Sequence, residues 1–234
     1  MMEPILEVLA LKAGYGSSQI LFDITFNVYD GECVCLLGRN GMGKTTTMRS
    51  VLGLTRRLGG SVRFRGRDLG RTSGFEVARL GISLVPEDRR IFADLTVEEN
   101  LRVADARGEW TLSRIYALFP ELQEFATRKG GLLSGGQQQM LTIARSLMTS
   151  PRLLLLDEPS EGIAPIVVQR LRDQIRELKR SGLTLVLAEQ SLAFCLAVSD
   201  RVVVLEKGHV RYSGTTSAFS SDAALQKKLL GVGH

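Results

Sequence analysis

Two stretches of this chain carry residues whose types and spacing can do chemistry. The first is Gly38-Arg39-Asn40-Gly41-Met42-Gly43-Lys44-Thr45-Thr46, in which a glycine is followed, after four residues, by Gly-Lys-Thr. That is the spacing of a loop that wraps phosphate. Its glycines let backbone amides curl inward around anionic oxygens, and a helix starting there turns its positive end to the same anion. Lys44 offers a point charge for the outer phosphates, and the Thr45 hydroxyl suits the magnesium that accompanies them. The second stretch is Asp157-Glu158, placed after Leu153-Leu154-Leu155-Leu156. In phosphate-loop enzymes an aspartate at the end of an apolar strand holds magnesium, and the next carboxylate can activate the water that attacks the γ-phosphate. Together the two stretches predict binding and cleavage of a nucleoside triphosphate.

Such residues work only if strands and helices deliver them to one place. Cys33-Val34-Cys35-Leu36-Leu37 is continuously apolar, as a strand buried on both faces of a parallel sheet is. After the loop, Met48, Val51 and Leu52 recur at helical spacing. Further strands are expected over 5–11, 81–86, 153–158 and 183–188. A hairpin is expected over 201–206 and 209–213. Gly14-Tyr15-Gly16 reads as a turn, and Tyr15 either stacks on a base or packs at a strand end. From Leu21 to Val28 the pattern alternates, with Phe22, Ile24, Phe26 and Val28 on one side. Gly59-Gly60 reads as a break before the alternating Ser61-Val62-Arg63-Phe64-Arg65. From about 87 to 149 the texture is helical, opening on Thr96-Val97-Glu98-Glu99 with a capping-box glutamate. A second helix carries Met140, Leu141, Ala144, Leu147 and Met148, and a third Val167, Val168, Leu171, Ile175 and Leu178. The last dozen residues are expected to be helical. The fold class is therefore α/β with an inserted helical subdomain, one domain over 1–234 whose core is about 1–86 and 150–234.

Composition narrows the class. At 234 residues, 44% hydrophobic and 24% charged, the chain can bury a sizeable core. A net charge of +5 with scattered basic residues does not point to nucleic acid. Cys33, Cys35 and Cys195 form neither zinc spacing nor a disulfide framework, so reduced core thiols are expected. His209 and His234 are isolated and receive no role. Met1-Met2-Glu3-Pro4 lacks the pattern of a secretory signal. No apolar run approaches the roughly 20 residues that span a bilayer. If the protein works at a membrane, another chain must supply the crossing.

Leu133-Ser134-Gly135-Gly136-Gln137 makes the resemblance specific. With the phosphate loop upstream and Asp157-Glu158 downstream, it resembles the signature of ATP-binding cassette (ABC) ATPases over essentially the whole chain. The resemblance implies an α/β P-loop fold with an antiparallel β arm and an inserted helical subdomain, ATP and Mg2+ as cofactors, and ATP hydrolysis coupled to transport. It implies ATP contacts from Gly38 to Thr46, with Tyr15 stacking on adenine. It also implies a catalytic set of Glu158, Gln190 and Lys44, and metal contacts from Thr45, Glu87 and Asp157. Ser134, Gly135, Gly136 and Gln137 are implied to face the ATP of an opposing subunit, so that one chain holds two half-sites. Two positions depart from the general family pattern: Glu87 stands where a glutamine is usual, and Gln190 where a histidine is usual. Both departures, with Ile163 in place of an aspartate, resemble the branch of importer ATPases for branched-chain amino acids, other hydrophobic amino acids, amides or urea. Also similar to that branch are Leu95-Thr96-Val97-Glu98-Glu99-Asn100-Leu101 and Asp157-Glu158-Pro159-Ser160-Glu161-Gly162-Ile163-Ala164-Pro165. The implied partners are a second ATPase, membrane-spanning permeases and, through them, an extracytoplasmic substrate-binding protein. The implied place is the cytoplasmic face of the membrane. Urea or short amides, or a role outside transport, are the alternatives.

Overall fold

The computed structural model describes residues 3–70 and 72–231. Strands β1 (Leu6–Tyr15), β2 (Ser18–Val28) and β3 (Cys33–Leu37) lead to helix α1 (Lys44–Val51). Then come β4 (Arg56–Phe64), β5 (Arg67–Asp68), α2 (Gly74–Arg79) and β6 (Ile82–Val85). A strand-free stretch holds α3 (Val97–Arg102), α4 (Leu112–Leu118), α5 (Pro120–Glu124) and α6 (Gly135–Leu147). The chain closes with β7 (Leu153–Asp157), α7 (Pro165–Arg180), β8 (Thr184–Glu189), α8 (Leu192–Val198), β9 (Arg201–Glu206), β10 (His209–Thr215), α9 (Thr216–Ser221) and α10 (Ala223–Leu230).

Two sheets result. One is antiparallel, in the order β2-β1-β4-β5, and the other runs β10-β9-β3-β8-β7-β6. In the second, β9, β3, β8, β7 and β6 pair in parallel and β10 adds an antiparallel edge. The period of a strand explains why its inner runs are wholly apolar. Cys33, Cys35 and Leu37 join one core cluster with Leu154, Leu156, Leu185 and Leu187, while Val34 and Leu36 join the other with Leu153, Leu155 and Val186. The first face is covered by α6, α7 and α8 through residues such as Met140, Leu171 and Phe194. The second is covered by α1 and the antiparallel sheet through Met48, Val51, Leu11 and Ile24. The five parallel strands therefore end at one edge of the sheet, where ligands of open α/β sheets bind.

Three expectations change. Gly14 and Tyr15 belong to β1, and the turn falls at the next two residues. Phe22 leaves the buried side: Asp23 has φ 60°, the register slips between Leu21 and Ile24, and Leu21 is buried in place of Phe22. A bulge of this kind turns later side chains to the opposite face. Gly59 and Gly60 lie within β4 rather than before it. There Gly60 has φ 73°, and a Cβ on it would sit 2.2 Å from the Ala10 carbonyl oxygen, so the crossing of β4 over β1 requires glycine. Cys33, Cys35 and Cys195 are buried and unbridged, and burial pushes the Cys33 and Cys35 thiols well above their ordinary range. Residues 232–234, with His234, lie outside the described residues. Among the described residues no helix is long and apolar enough to cross a membrane.

Candidate functional site: a phosphate loop and a separate serine-glycine turn

The phosphate loop is pinned from two sides. The Gly38 amide donates to the Glu189 carbonyl at 3.2 Å, and the Gly208 amide of the β9–β10 turn donates to the Met42 carbonyl at 3.1 Å. A Cβ on Gly38 would lie 2.6 Å from the Leu205 carbonyl oxygen, so only glycine lets the loop leave β3 there. Gly43 caps α1 with φ 102° and no side-chain hydrogen bond, and the first turn of α1 carries no acid. Its free amides and its dipole favour an anion at that end.

Four side chains meet in front of this helix. Lys44 is buried; its Nζ donates to the Gly38 and Arg39 carbonyls at 2.7 and 3.0 Å and lies 3.0 Å from Glu158 Oε1. Thr45 Oγ1 donates to Asp157 Oδ1 at 2.9 Å. The strand end of β7 delivers both acids, Asp157 from its last position and Glu158 from a left-handed φ of 48°, with the Glu158 amide held by the Ala188 carbonyl at 2.9 Å. A non-glycine residue in that conformation is strained, and such strain concentrates at working sites. A cavity of about 220 Å³ is lined by Lys44, Thr45, Thr46 and Glu158, the loop glycines Gly41 and Gly43, and Tyr15 and Ile20. Tyr15 is 40% exposed and lies beside the loop.

Negative charge is crowded here. Burial raises the Asp157 carboxyl to about 6, although the Thr45 hydrogen bond opposes it; the charges of Glu158 and Glu87 push the same way as burial. Glu161 is raised to about 7, chiefly by its hydrogen bond with Glu158, then by burial and by the Glu158 and Glu87 charges. Burial also raises Glu189, against hydrogen bonds from the Ser160 and Gln190 amides to its two oxygens at 3.1 and 3.2 Å. Carboxylates that resist ionising beside one another are a demand for a cation. No group of three or more acids, cysteines and histidines able to hold a metal ion forms among the described residues. Thr45 and Asp157 instead offer two hard oxygens, which fits magnesium, since that ion takes its remaining ligands from phosphate and water.

Other expected residues fall nearby or elsewhere. Gln190 Nε2 donates to Asn40 Oδ1 at 3.3 Å, which ties the end of β8 to the phosphate loop. Glu87 is exposed, one residue past Pro86 beyond β6. Ser134, Gly135, Gly136 and Gln137 do not line the phosphate cavity; they begin α6. Ser134 caps that helix, its Oγ accepting from the Gln137 amide at 3.3 Å while Gln137 Oε1 accepts from the Ser134 amide at 2.9 Å. Helices α2 and α3 close the same box with glutamates, Glu76 and Glu99. In α6 the third position is a neutral glutamine and the first turn holds no acid. Its positive end is left uncompensated, as an anion-facing surface needs.

Sequence reasoning gave no role to Ile20, Arg89, Glu161 or Glu189. For Glu189 the signal was its place at the end of a buried strand, the same sheet edge that delivers Asp157. Arg89 and Glu161 are brought in by turns that spacing does not reveal, and Ile20 by β2.

The family profile described as ABC transporter matches residues 21–161. The chain belongs to the ABC transporter family. It is 40% identical to the high-affinity branched-chain amino acid transport ATP-binding protein BraG of Pseudomonas aeruginosa, over 93% of this chain and 95% of that one. It is 34% identical to the probable branched-chain amino acid transport ATP-binding protein LivF of Archaeoglobus fulgidus, over 97% and 99%. It is 32% identical to the lipopolysaccharide export system ATP-binding protein LptB of Acidithiobacillus ferridurans, over 98% of each. Among solved structures, an ATP-binding subunit of an ABC transporter superposes with a TM-score of 0.81 at 29% identity, covering 97% of this chain and 95% of that one. As an ABC ATPase, the chain is the ATP-hydrolysing subunit of a transporter, and the expected P-loop fold with its antiparallel arm is the fold observed.

Proposed function

We propose that this chain powers an importer of branched-chain amino acids, with Lys44, Thr45, Asp157 and Glu158 doing the chemistry on ATP. The observation that carries the chemistry is the pair of contacts in one cavity, Thr45 to Asp157 and Lys44 to Glu158. In this reading Tyr15 stacks on the adenine and the amides from Gly38 to Thr46 hold the phosphates. Lys44 moves its charge from Glu158 to the outer phosphates. Glu158, released, takes a proton from the attacking water as general base. Gln190, hydrogen-bonded to Asn40, donates from its amide near the outer phosphate. Thr45, Asp157 and Glu87 would hold the magnesium, which when bound would neutralise charge developing on the phosphate oxygens.

The serine-glycine turn supports a two-chain arrangement, because it opens a second anion-facing helix end outside the cavity. Ser134, Gly135, Gly136 and Gln137 then complete the site on a partner ATPase, a second copy or a related subunit. Residues 87–149 form the helical insert of a single domain and face the permeases, which place the chain at the cytoplasmic side of the membrane. A substrate-binding protein delivers cargo through the permeases. The branched-chain assignment rests on the identity to BraG and LivF, and the likeness to LptB favours the competing reading of lipid export. Purification of the intact complex from native membrane, followed by reconstitution with ATP inside vesicles, decides between them. ATP-dependent uptake of leucine is the expected result. Uptake of urea, or permeases that move lipid, overturns the branched-chain reading.

A further inference from the structure

Arg89 belongs to neither motif. It follows Glu87 in a turn closed by its own amide donating to the Pro86 carbonyl at 3.1 Å. Arg89 and its neighbour Arg90 hold φ of 59° and 49°, which non-glycine residues adopt when the surroundings impose it. Those surroundings are α6. Thr142 Oγ1 donates to the Arg89 carbonyl at 3.0 Å, and Arg145 Nη2 to the Arg90 carbonyl at 2.6 Å. Arg89 Nε donates to Gln139 Oε1 at 3.3 Å.

Gln139 is 3% exposed, and its Nε2 finds no hydrogen-bond partner among the described residues. A buried amide with an unmet donor costs stability, so stability does not account for it. Aiming the guanidinium does. The far end of Arg89 lies in the space beside two glycines: a Cβ added to Gly135 would be 3.0 Å from Nη1, and one added to Gly162 would be 3.8 Å from Nη2. Gly135 opens the signature helix, and Gly162 lies in the loop that runs from Glu158 to α7. A cation at a helix N-terminus does not stabilise that helix. The placement therefore serves the geometry between the two loops.

We infer that Arg89 is a positioning residue that locks the signature turn to the carboxylate loop and so couples the two ATP sites of the dimer. The inference rests on the two-chain arrangement proposed above. In that arrangement the carboxylate loop serves the chain's own nucleotide and the signature turn serves the partner's. A rigid link between them inside one chain makes the second site sense the first, which appears as cooperativity.

The test uses the full chain and follows phosphate release against ATP concentration, with nucleotide binding and melting measured in parallel. Wild type is expected to show a Hill coefficient rising toward about 2, the number of sites. Arg89→Met should bring it to about 1 and slow turnover about 2- to 30-fold, with binding of a fluorescent ATP analogue to the phosphate loop unchanged. Arg89→Lys keeps the charge without the planar fork and should remain uncoupled. Gln139→Leu removes the unmet donor and the aiming bond together. It should uncouple without lowering the melt, and it decides the matter if Arg89→Met does not fold. Unchanged cooperativity in Arg89→Met, or in Gln139→Leu where Arg89→Met does not fold, overturns the role of Arg89. A wild-type coefficient of one with an ATP-dependent dimer overturns the coupling alone. Absence of any ATP-dependent dimer overturns the two-chain reading beneath it.

Discussion

Replacing Glu158 by glutamine removes one charge from a buried pair while keeping its shape. Lys44 Nζ lies 3.0 Å from Glu158 Oε1, with the two side chains 2% and 7% exposed. Removing one partner of such a pair costs about 3–5 kcal/mol. Here Lys44 keeps the Gly38 and Arg39 carbonyls and gains the amide oxygen of the glutamine, so the loss should be nearer about 2 kcal/mol. For a chain of this length that lowers Tm by about 4–8 °C in the absence of nucleotide. With nucleotide the order reverses. In wild type the phosphates must draw Lys44 away from Glu158, whereas in Glu158→Gln they meet no such competitor. The variant should therefore bind ATP at least as tightly, and its Tm should rise more with saturating Mg·ATP than that of wild type. Turnover should fall by about 10²–10⁴, the usual contribution of a general base. Phosphate release, nucleotide binding and thermal melting on the same preparation give all three quantities. Turnover near wild type removes Glu158 from the chemistry, and weaker ATP binding shows that its pair with Lys44 supports nucleotide instead of competing with it.

Three further perturbations follow from the same structure. Burial raises Asp157 from 3.8 to about 6, so the folded chain holds that proton more tightly than the unfolded chain does. The resulting stabilisation is full below about pH 4 and is lost, by at most about 3 kcal/mol, as pH rises through about 6. Asp157→Asn should accordingly melt above wild type near neutral pH, converge with it in acid and gain nothing from magnesium; a lower melt at neutral pH contradicts the argument. Gln190→His should keep most activity because it can still donate toward the phosphate, whereas Gln190→Ala should lose up to about 10²-fold, read as phosphate release; equal rates in all three proteins would show the position to be idle. Gly60→Val forces a side chain into the Ala10 carbonyl at a left-handed φ and should cost about 2–4 kcal/mol, read from thermal melting; an unchanged Tm would mean that β1 and β4 part there without cost.

Much of this was legible because it depends on local pattern. The wholly apolar runs of β3 and β7 announce burial on both faces, and the two core clusters show that alternate residues of each strand do go to opposite sides. The capping box at Thr96 sits at the expected helix start, whereas α6 starts at Gly135, inside the serine-glycine turn expected to precede its helix. What pattern missed is set by contacts distant in sequence. Phe22 is turned outward by a register slip against β1, and Gly60 stays inside a strand because Ala10 crosses close above it. Neither neighbour is written near the residue it governs. The same holds at the site: Lys44 and Thr45 declare themselves by spacing, but their pairing with Glu158 and Asp157 needs β3 and β7 to be brought to one sheet edge across β8. Arg89 is the extreme case, since its hydrogen-bond partners on α6, Gln139 and Thr142, lie 50 and 53 residues away.

The start of α6 bears on the proposed two-chain arrangement. A helix N-terminus is ordinarily quieted by an acid in its first turn, and Glu76 and Glu99 do this for α2 and α3. A first turn without an acid is shared by α4, α7, α8 and α9, so what sets α6 apart is the neutral glutamine that completes its capping box. Helix α1 is bare, and the cavity in front of it explains why. Helix α6 is bare as well and keeps the geometry of the capping box with a neutral glutamine in the acid's place, yet no phosphate loop of its own chain stands before it. In the two-chain arrangement proposed above, this helix start would face the partner's nucleotide. Restoring the acid by Gln137→Glu should keep the helix and its cap intact while repelling the partner's nucleotide. Melting should stay near wild type, binding of ATP by the single chain should be unaltered, and ATP-dependent dimerisation and turnover should both fall. If turnover fell while the dimer still formed as in wild type, the second half-site would have to lie elsewhere.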